Sequence, residues 1–219
     1  MKCLKFVSVA VVVAGLVPGV ASAQRDDHAK AAVKSAAHGS PAADLKMTMR
    51  KLWTDHTVWT RDYIIAAVDD KPDAMAAANR LMKNQEDIGN AVAGYYGAAA
   101  GQQLTSLLKQ HISIAVDLIK AAKAGNKTAQ KQADDRWQAN GVEIATFLSK
   151  ANPNWPQATL VDMMKTHLST TTAEVVARLM HDYDGDVRAY DAVYEHILMM
   201  SDALSDGIVK QFPGKFKAS

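Results

Sequence analysis

Residues 42–72 read AADLKMTMRKLWTDHTVWTRDYIIAAVDDKP. Leu45, Met49, Leu52, His56, Trp59, Tyr63 and Ala66 recur three and four positions apart, which places them on one face of an α-helix as a seam against a partner. Asp69-Asp70-Lys71-Pro72 ends the helix, because proline lacks the N–H that the next turn would use. At the centre of the seam stands a histidine, closing the phrase Leu52-Trp53-Thr54-Asp55-His56. A helix with such a face is stable only when other helices cover it, so this stretch predicts neighbours of the same kind.

The phrase of two apolar residues, two polar residues and a histidine returns in Leu107-Leu108-Lys109-Gln110-His111 and in Met163-Met164-Lys165-Thr166-His167. Helical periodicity predicts further elements over 73–92, 98–124, 127–150, 156–180 and 187–212. The second is expected to be interrupted, since Gly89 and Gly94-Tyr95-Tyr96-Gly97 weaken it. Gly125-Asn126, Asn152-Pro153-Asn154-Trp155-Pro156 and Asp184-Gly185 supply the later turns, and Pro213 closes the last helix. Strand-like alternation is absent. The fold class is all-α, an antiparallel helical bundle of four to six helices, because short connections make successive helices antiparallel neighbours.

The ends divide the chain further. Lys2 and Lys5, an apolar run over 6–17 and Ala21-Ser22-Ala23 predict a secretory signal over 1–23. Residues 24–41 are small and polar and read as a mobile arm, 42–213 as the bundle domain and 214–219 as a tail. The product is expected to be periplasmic or secreted. Cys3, the single cysteine, lies within the signal, so its removal excludes disulfides, thiolate zinc sites and cysteine nucleophiles. The formal charge of +2 also belongs to Lys2 and Lys5. A neutral remainder without a basic block predicts no nucleic-acid partner, and no later run reaches the length of a transmembrane segment.

Residues equally distant from a tight turn lie at equal height in an antiparallel pair. Reflection through the expected turns carries His111 to Asn140, Asn140 to His167 and His167 to Asp202. His56 reaches the same level through the second helix, and Glu143 lies within a turn of Asn140. The expected metal ligands are therefore His56, His111, His167, Glu143 and Asp202, with Trp59, Trp137 and Asn140 as cofactor contacts. Imidazole and carboxylate suit a transition metal, with copper, zinc and nickel all open, or a non-covalent haem. Transport, storage or sensing in the cell envelope follows as the leading function. A buried polar layer that only sets helix register is the first alternative. The second is a small-substrate enzyme in which a core histidine works with Glu143 or Asp202 as general base.

Other residues carry less. His196 reads as a neighbour of the layer rather than a ligand, and His28, His38 and His181 as solvated. The methionine pairs at 163–164 and 199–200 read as core filling, with a soft-metal role as the rival. The stripe His167, Thr171, Glu174, Arg178 fits an exposed edge with an internal ion pair. The ferritin-like spacing of glutamate three before histidine, the zinc-protease motif, the haem-attachment motif and a glycine-rich phosphate loop are all missing. Asp182 to Asp186 departs from a calcium loop in the position of its glycine.

Leu52-Trp53-x-x-His56-x-x-Trp59-Thr60-Arg61, with Lys210-Gln211-Phe212-Pro213-x-Lys215-Phe216 at the other end, resembles a group of uncharacterised secreted bacterial helical-bundle proteins. The resemblance spans about residues 45–216 and implies no activity.

Overall fold

The computed structural model describes residues 39–217. The expected signal and nearly all of the expected arm lie outside the described residues. Within them are six α-helices: α1 Pro41–Val68, α2 Ala74–Tyr96, α3 Ala98–Lys123, α4 Lys127–Ala151, α5 Gln157–Leu179 and α6 Tyr183–Gln211. A 3₁₀ turn, Pro213–Phe216, follows them, and no strand is present among the described residues. The fold is an all-α helical bundle.

Local chemistry sets the helix ends. The Ser40 hydroxyl accepts from the Ala43 amide at 3.3 Å and Pro41 opens the first turn of α1. Gly97, at a φ of 86°, turns the chain from α2 into α3. Asn126 caps α4 by accepting from the Ala129 amide at 3.0 Å. The α5–α6 turn lies earlier than the sequence suggested: His181 takes the positive φ, and Asp182 caps α6 by accepting from the Gly185 amide at 2.9 Å. Gly185 is therefore inside the first helical turn rather than the end of a connection.

The expected interruption of α2 is not found. α2 runs unbroken through Gly89, which lies against Gly101 of α3. A Cβ on Gly89 would stand 2.6 Å from the Gly101 carbonyl oxygen, and a Cβ on Gly101 would stand 2.6 Å from that of Gly89. Both glycines serve close backbone approach, at the cost of helix propensity.

Each helix packs on its neighbours in sequence, and α6 returns to α1. The result is a ring in which α1 also touches α3 and α5. Because direction alternates, α1, α3 and α5 run parallel to one another. The main core gathers Met49, Ile88, Leu168, Ile197 and Ile208 from around the ring, and each such side chain contributes about 1.5–3 kcal/mol by burial. Among the described residues no helix is long and apolar enough to cross a membrane.

Candidate functional site

The repeated phrase falls on the three parallel helices. His56 on α1, His111 on α3 and His167 on α5 are 3, 2 and 5 % exposed and share one level. His167 lies between the other two, its ring centre 5.7 Å from His56 and 6.1 Å from His111. Two indoles close the ends of this row, with Trp53 5.7 Å from His56 and Trp137 5.2 Å from His111. Five aromatic rings from four helices thus cross the bundle in series.

Burial keeps the imidazoles neutral. It lowers the pKa of His56 to about 3 and that of His111 to about 4, because water no longer solvates the imidazolium. His167 is lowered well below the usual histidine value, first by burial and then by repulsion from His56, His111 and His196. The Asn140 amide donates to the Leu107 carbonyl at 3.2 Å, so its oxygen must be the acceptor in the 2.8 Å contact with His111 Nδ1. His111 then carries its proton on Nδ1 and presents the Nε2 lone pair. Nδ1 of His56 and Nδ1 of His167 are buried without a hydrogen-bond partner. The Gln85 carboxamide offsets part of the shift at His56, but its oxygen forms no hydrogen bond of good geometry.

The layer is built by repetition. Asn84 on α2, Asn140 on α4 and His196 on α6 occur at equal intervals along the chain. Each donates to the carbonyl that opens the preceding phrase: Asn84 to Leu52 at 2.9 Å, Asn140 to Leu107 at 3.2 Å and His196 Nε2 to Met163 at 2.8 Å. The same interval relates Leu81, Trp137 and Val193, and again Ile88, Ile144 and Met200, all of them buried. The six helices of the described residues form three copies of one helical hairpin, each giving an imidazole on its first helix and a polar donor on its second. Sequence reasoning found the phrase and missed the repeat, although the equal spacing of Asn84, Asn140 and His196 was there to read.

Several expected site residues lie elsewhere. Glu143 is exposed, since Ile144 and Ala145 take the inward positions of that turn. Asp202 is held by Arg50 at 2.7 and 2.5 Å and by Lys46 at 3.4 Å, on the outer side of α1 and α6. The α6 member of the layer is His196, because reflection of His167 through the observed turn at His181 lands one residue away from it. Trp59 is only partly buried and carries the Arg80 guanidinium 5.5 Å from its ring centre. Trp53, on the other flank of His56, is the tryptophan that α1 contributes to the site. Trp137 and Asn140 stand where the sequence placed them, beside His111.

The three imidazoles, with Met163, Met164 and Met200, line a cavity of about 20 Å³ measured for the centre of a water-sized body. That is room for one water molecule or one ion. Apolar side chains, among them Trp53, Leu108, Ile144, Leu148, Leu160 and Leu204, make up the rest of its wall, and no carboxylate belongs to it. Among the described residues no three histidine, cysteine, aspartate or glutamate side chains stand in a ready ligating arrangement.

The chain matches no family model, no curated protein and no solved structure.

A second polar tier lies two helical turns along α5 from His167. Glu174 is 1 % exposed and accepts from Arg61 at 2.8 Å, and Asp186 accepts from the same guanidinium at 2.9 and 3.1 Å. Arg178 pairs with Asp69 and reaches Asp186 at 3.5 Å. The expected edge with an internal Glu174–Arg178 pair is thus replaced by a buried network joining α1, α5 and α6. Glu174 is buried because it occupies the repeat position of Tyr63 and Leu118, two core residues. Burial raises its carboxyl to about 7, against the pull of Arg61.

Proposed function

We propose that the protein is exported and binds one transition-metal ion in the three-histidine layer, for transport, storage or sensing in the envelope. The observation that carries this reading is that His56 and His167 bury Nδ1 without a partner beside an ion-sized cavity. Asn84, Asn140 and His196 already set the helix register by donating to the three carbonyls, so register alone does not account for the two unpaired imidazole nitrogens. Leaving an imidazole nitrogen buried and unpaired costs about 1–3 kcal/mol, a cost that an ion recovers. Bonds of about 2.0–2.1 Å put the ring centres of two imidazoles on one ion roughly 5 to 6.5 Å apart, depending on the angle. The separations of His167 from His56 and from His111, 5.7 and 6.1 Å, lie within that window, so ring rotation alone lets His167 share an ion with either neighbour. The small cavity favours a single ion over haem.

Titration of the purified protein with divalent and monovalent metal ions tests the proposal. One ion per chain is expected. His167→Ala should weaken it by more than the ~10–100-fold that follows loss of an outer hydrogen-bond partner, whereas His181→Ala should leave it unchanged. Absence of any stoichiometric ion at micromolar protein, with the chain folded, overturns the proposal and leaves the layer a device of register.

A further inference from the structure

The chemistry lining the cavity narrows the ion. His56, His111 and His167 share it with Met163, Met164 and Met200, so the available donors are neutral imidazole nitrogen and neutral thioether sulfur. The two carboxylates that could have balanced a divalent charge are elsewhere: Glu143 faces solvent and Asp202 is engaged by Arg50 and Lys46. The cost of burying an ion rises with the square of its net charge. A divalent ion among neutral donors therefore carries about four times the desolvation cost of a monovalent one.

Donor softness points the same way. Thioether sulfur prefers copper(I) among biological metal ions, while carboxylate and water suit the harder divalent ions. Spacing agrees as well, because the 5.7 and 6.1 Å that separate the His167 ring from His56 and from His111 exceed the roughly 5 Å of a tetrahedral pair and fit the open angle of a two- or three-coordinate ion that His167 shares with one of them. Resting on the metal-binding proposal above, we infer that the ion is monovalent copper, held by imidazole nitrogen from the repeated phrase and by methionine sulfur from α5 and α6. Met163 and Met164 open the third phrase, and Met200 occupies the repeat position of Ile88 and Ile144. The third hairpin is therefore the one that brings sulfur to an otherwise repeated layer.

The test is anaerobic titration with copper(I) against a chromophoric chelator, beside zinc(II) and nickel(II), with X-ray absorption at the copper edge. It is run on a Cys3→Ser chain, so that the one thiol contributes nothing. One copper(I) per chain is expected, bound at least ~100-fold more tightly than zinc(II), with both nitrogen and sulfur scattering. The triple variant Met163→Leu, Met164→Leu, Met200→Leu keeps core volume and fold, which circular dichroism checks. It should lose the sulfur signal and at least ~10-fold in copper(I) affinity. Zinc(II) or nickel(II) binding at the histidines as tightly as copper(I) overturns the inference and leaves the metal-binding proposal standing. Copper(I) binding unchanged in the triple variant also overturns it. No ion of any kind overturns both.

Discussion

His111 Nδ1 donates to Asn140 Oδ1 at 2.8 Å across the α3–α4 interface. The same amide reaches back to the Leu107 carbonyl one turn before the histidine, so a single side chain sets both helix register and imidazole tautomer. Asn140→Ala should lower stability by about 1–3 kcal/mol, because it strands a buried Nδ1–H. It should also weaken any bound ion by about 10–100-fold through loss of ring orientation. Urea denaturation and metal titration of one variant check both. Unchanged stability would mean that the bond contributes nothing in solution.

Acid sensitivity follows from the buried imidazoles. The unfolded histidines titrate near pH 6.5, while His56 and His111 are lowered to about 3 and 4 and His167 falls well below 6.5. As pH falls from 6.5 towards 4, the unfolded chain takes up three protons that the folded chain refuses. Stability is therefore full above 6.5 and is lost on acidification, by about 1.4 kcal/mol per pH unit for each histidine. Glu174 opposes this with one proton, since its folded value is about 7. Three groups outweigh one, and a net loss of roughly 3 kcal/mol per unit is expected between pH 6.5 and 4.5. Equal denaturation midpoints at pH 7 and pH 5 would contradict it.

Glu174 itself gives a prediction of opposite sign. A carboxyl raised to about 7 holds its proton in the folded chain after the unfolded chain has released one, so its contribution is lost as pH rises from 4.5 to 7. Glu174→Gln mimics the protonated form at every pH. Arg61 keeps Asp186 at 2.9 and 3.1 Å and is not left unpaired. The variant should match the parent near pH 4.5 and exceed it at pH 8 by about 1–3 kcal/mol. Denaturation at the two values decides the matter, and a less stable variant at pH 8 would show the pair to be net favourable.

The heights of the helices were legible from turns, and so the level shared by His56, His111 and His167 was too. Azimuth was less legible. Trp53 and Trp59 stand three residues to either side of His56, and periodicity alone does not say which flank turns inward. Height failed only where a turn was misplaced. Reflection doubles such an error, so moving the α5–α6 turn from Asp184 to His181 carries the reflected position from Asp202 to the neighbourhood of His196. Glu174 was misread for a different reason, since a charged residue at a core position is recognised only when its repeat equivalents, Tyr63 and Leu118, are compared.

Gly89 and Gly94 lie in the same helix, and their replacement by alanine should have opposite effects. Both gain helix propensity, worth up to about 1 kcal/mol in an open position. Around Gly94 nothing lies within 4 Å of a new Cβ, so Gly94→Ala should keep that gain. At Gly89 the new carbon would stand 1.9 Å from Thr105 Oγ1 and 2.6 Å from the Gly101 carbonyl oxygen. The threonine can rotate away, but the carbonyl belongs to α3 and moves only if the two helices part. That separation would open the core around Ile88 and Leu104, so overpacking outweighs propensity and Gly89→Ala should cost about 1–3 kcal/mol. Thermal denaturation of the two variants reads the difference directly. A stabilised Gly89→Ala would show that α2 and α3 do not approach as closely as the paired glycines require.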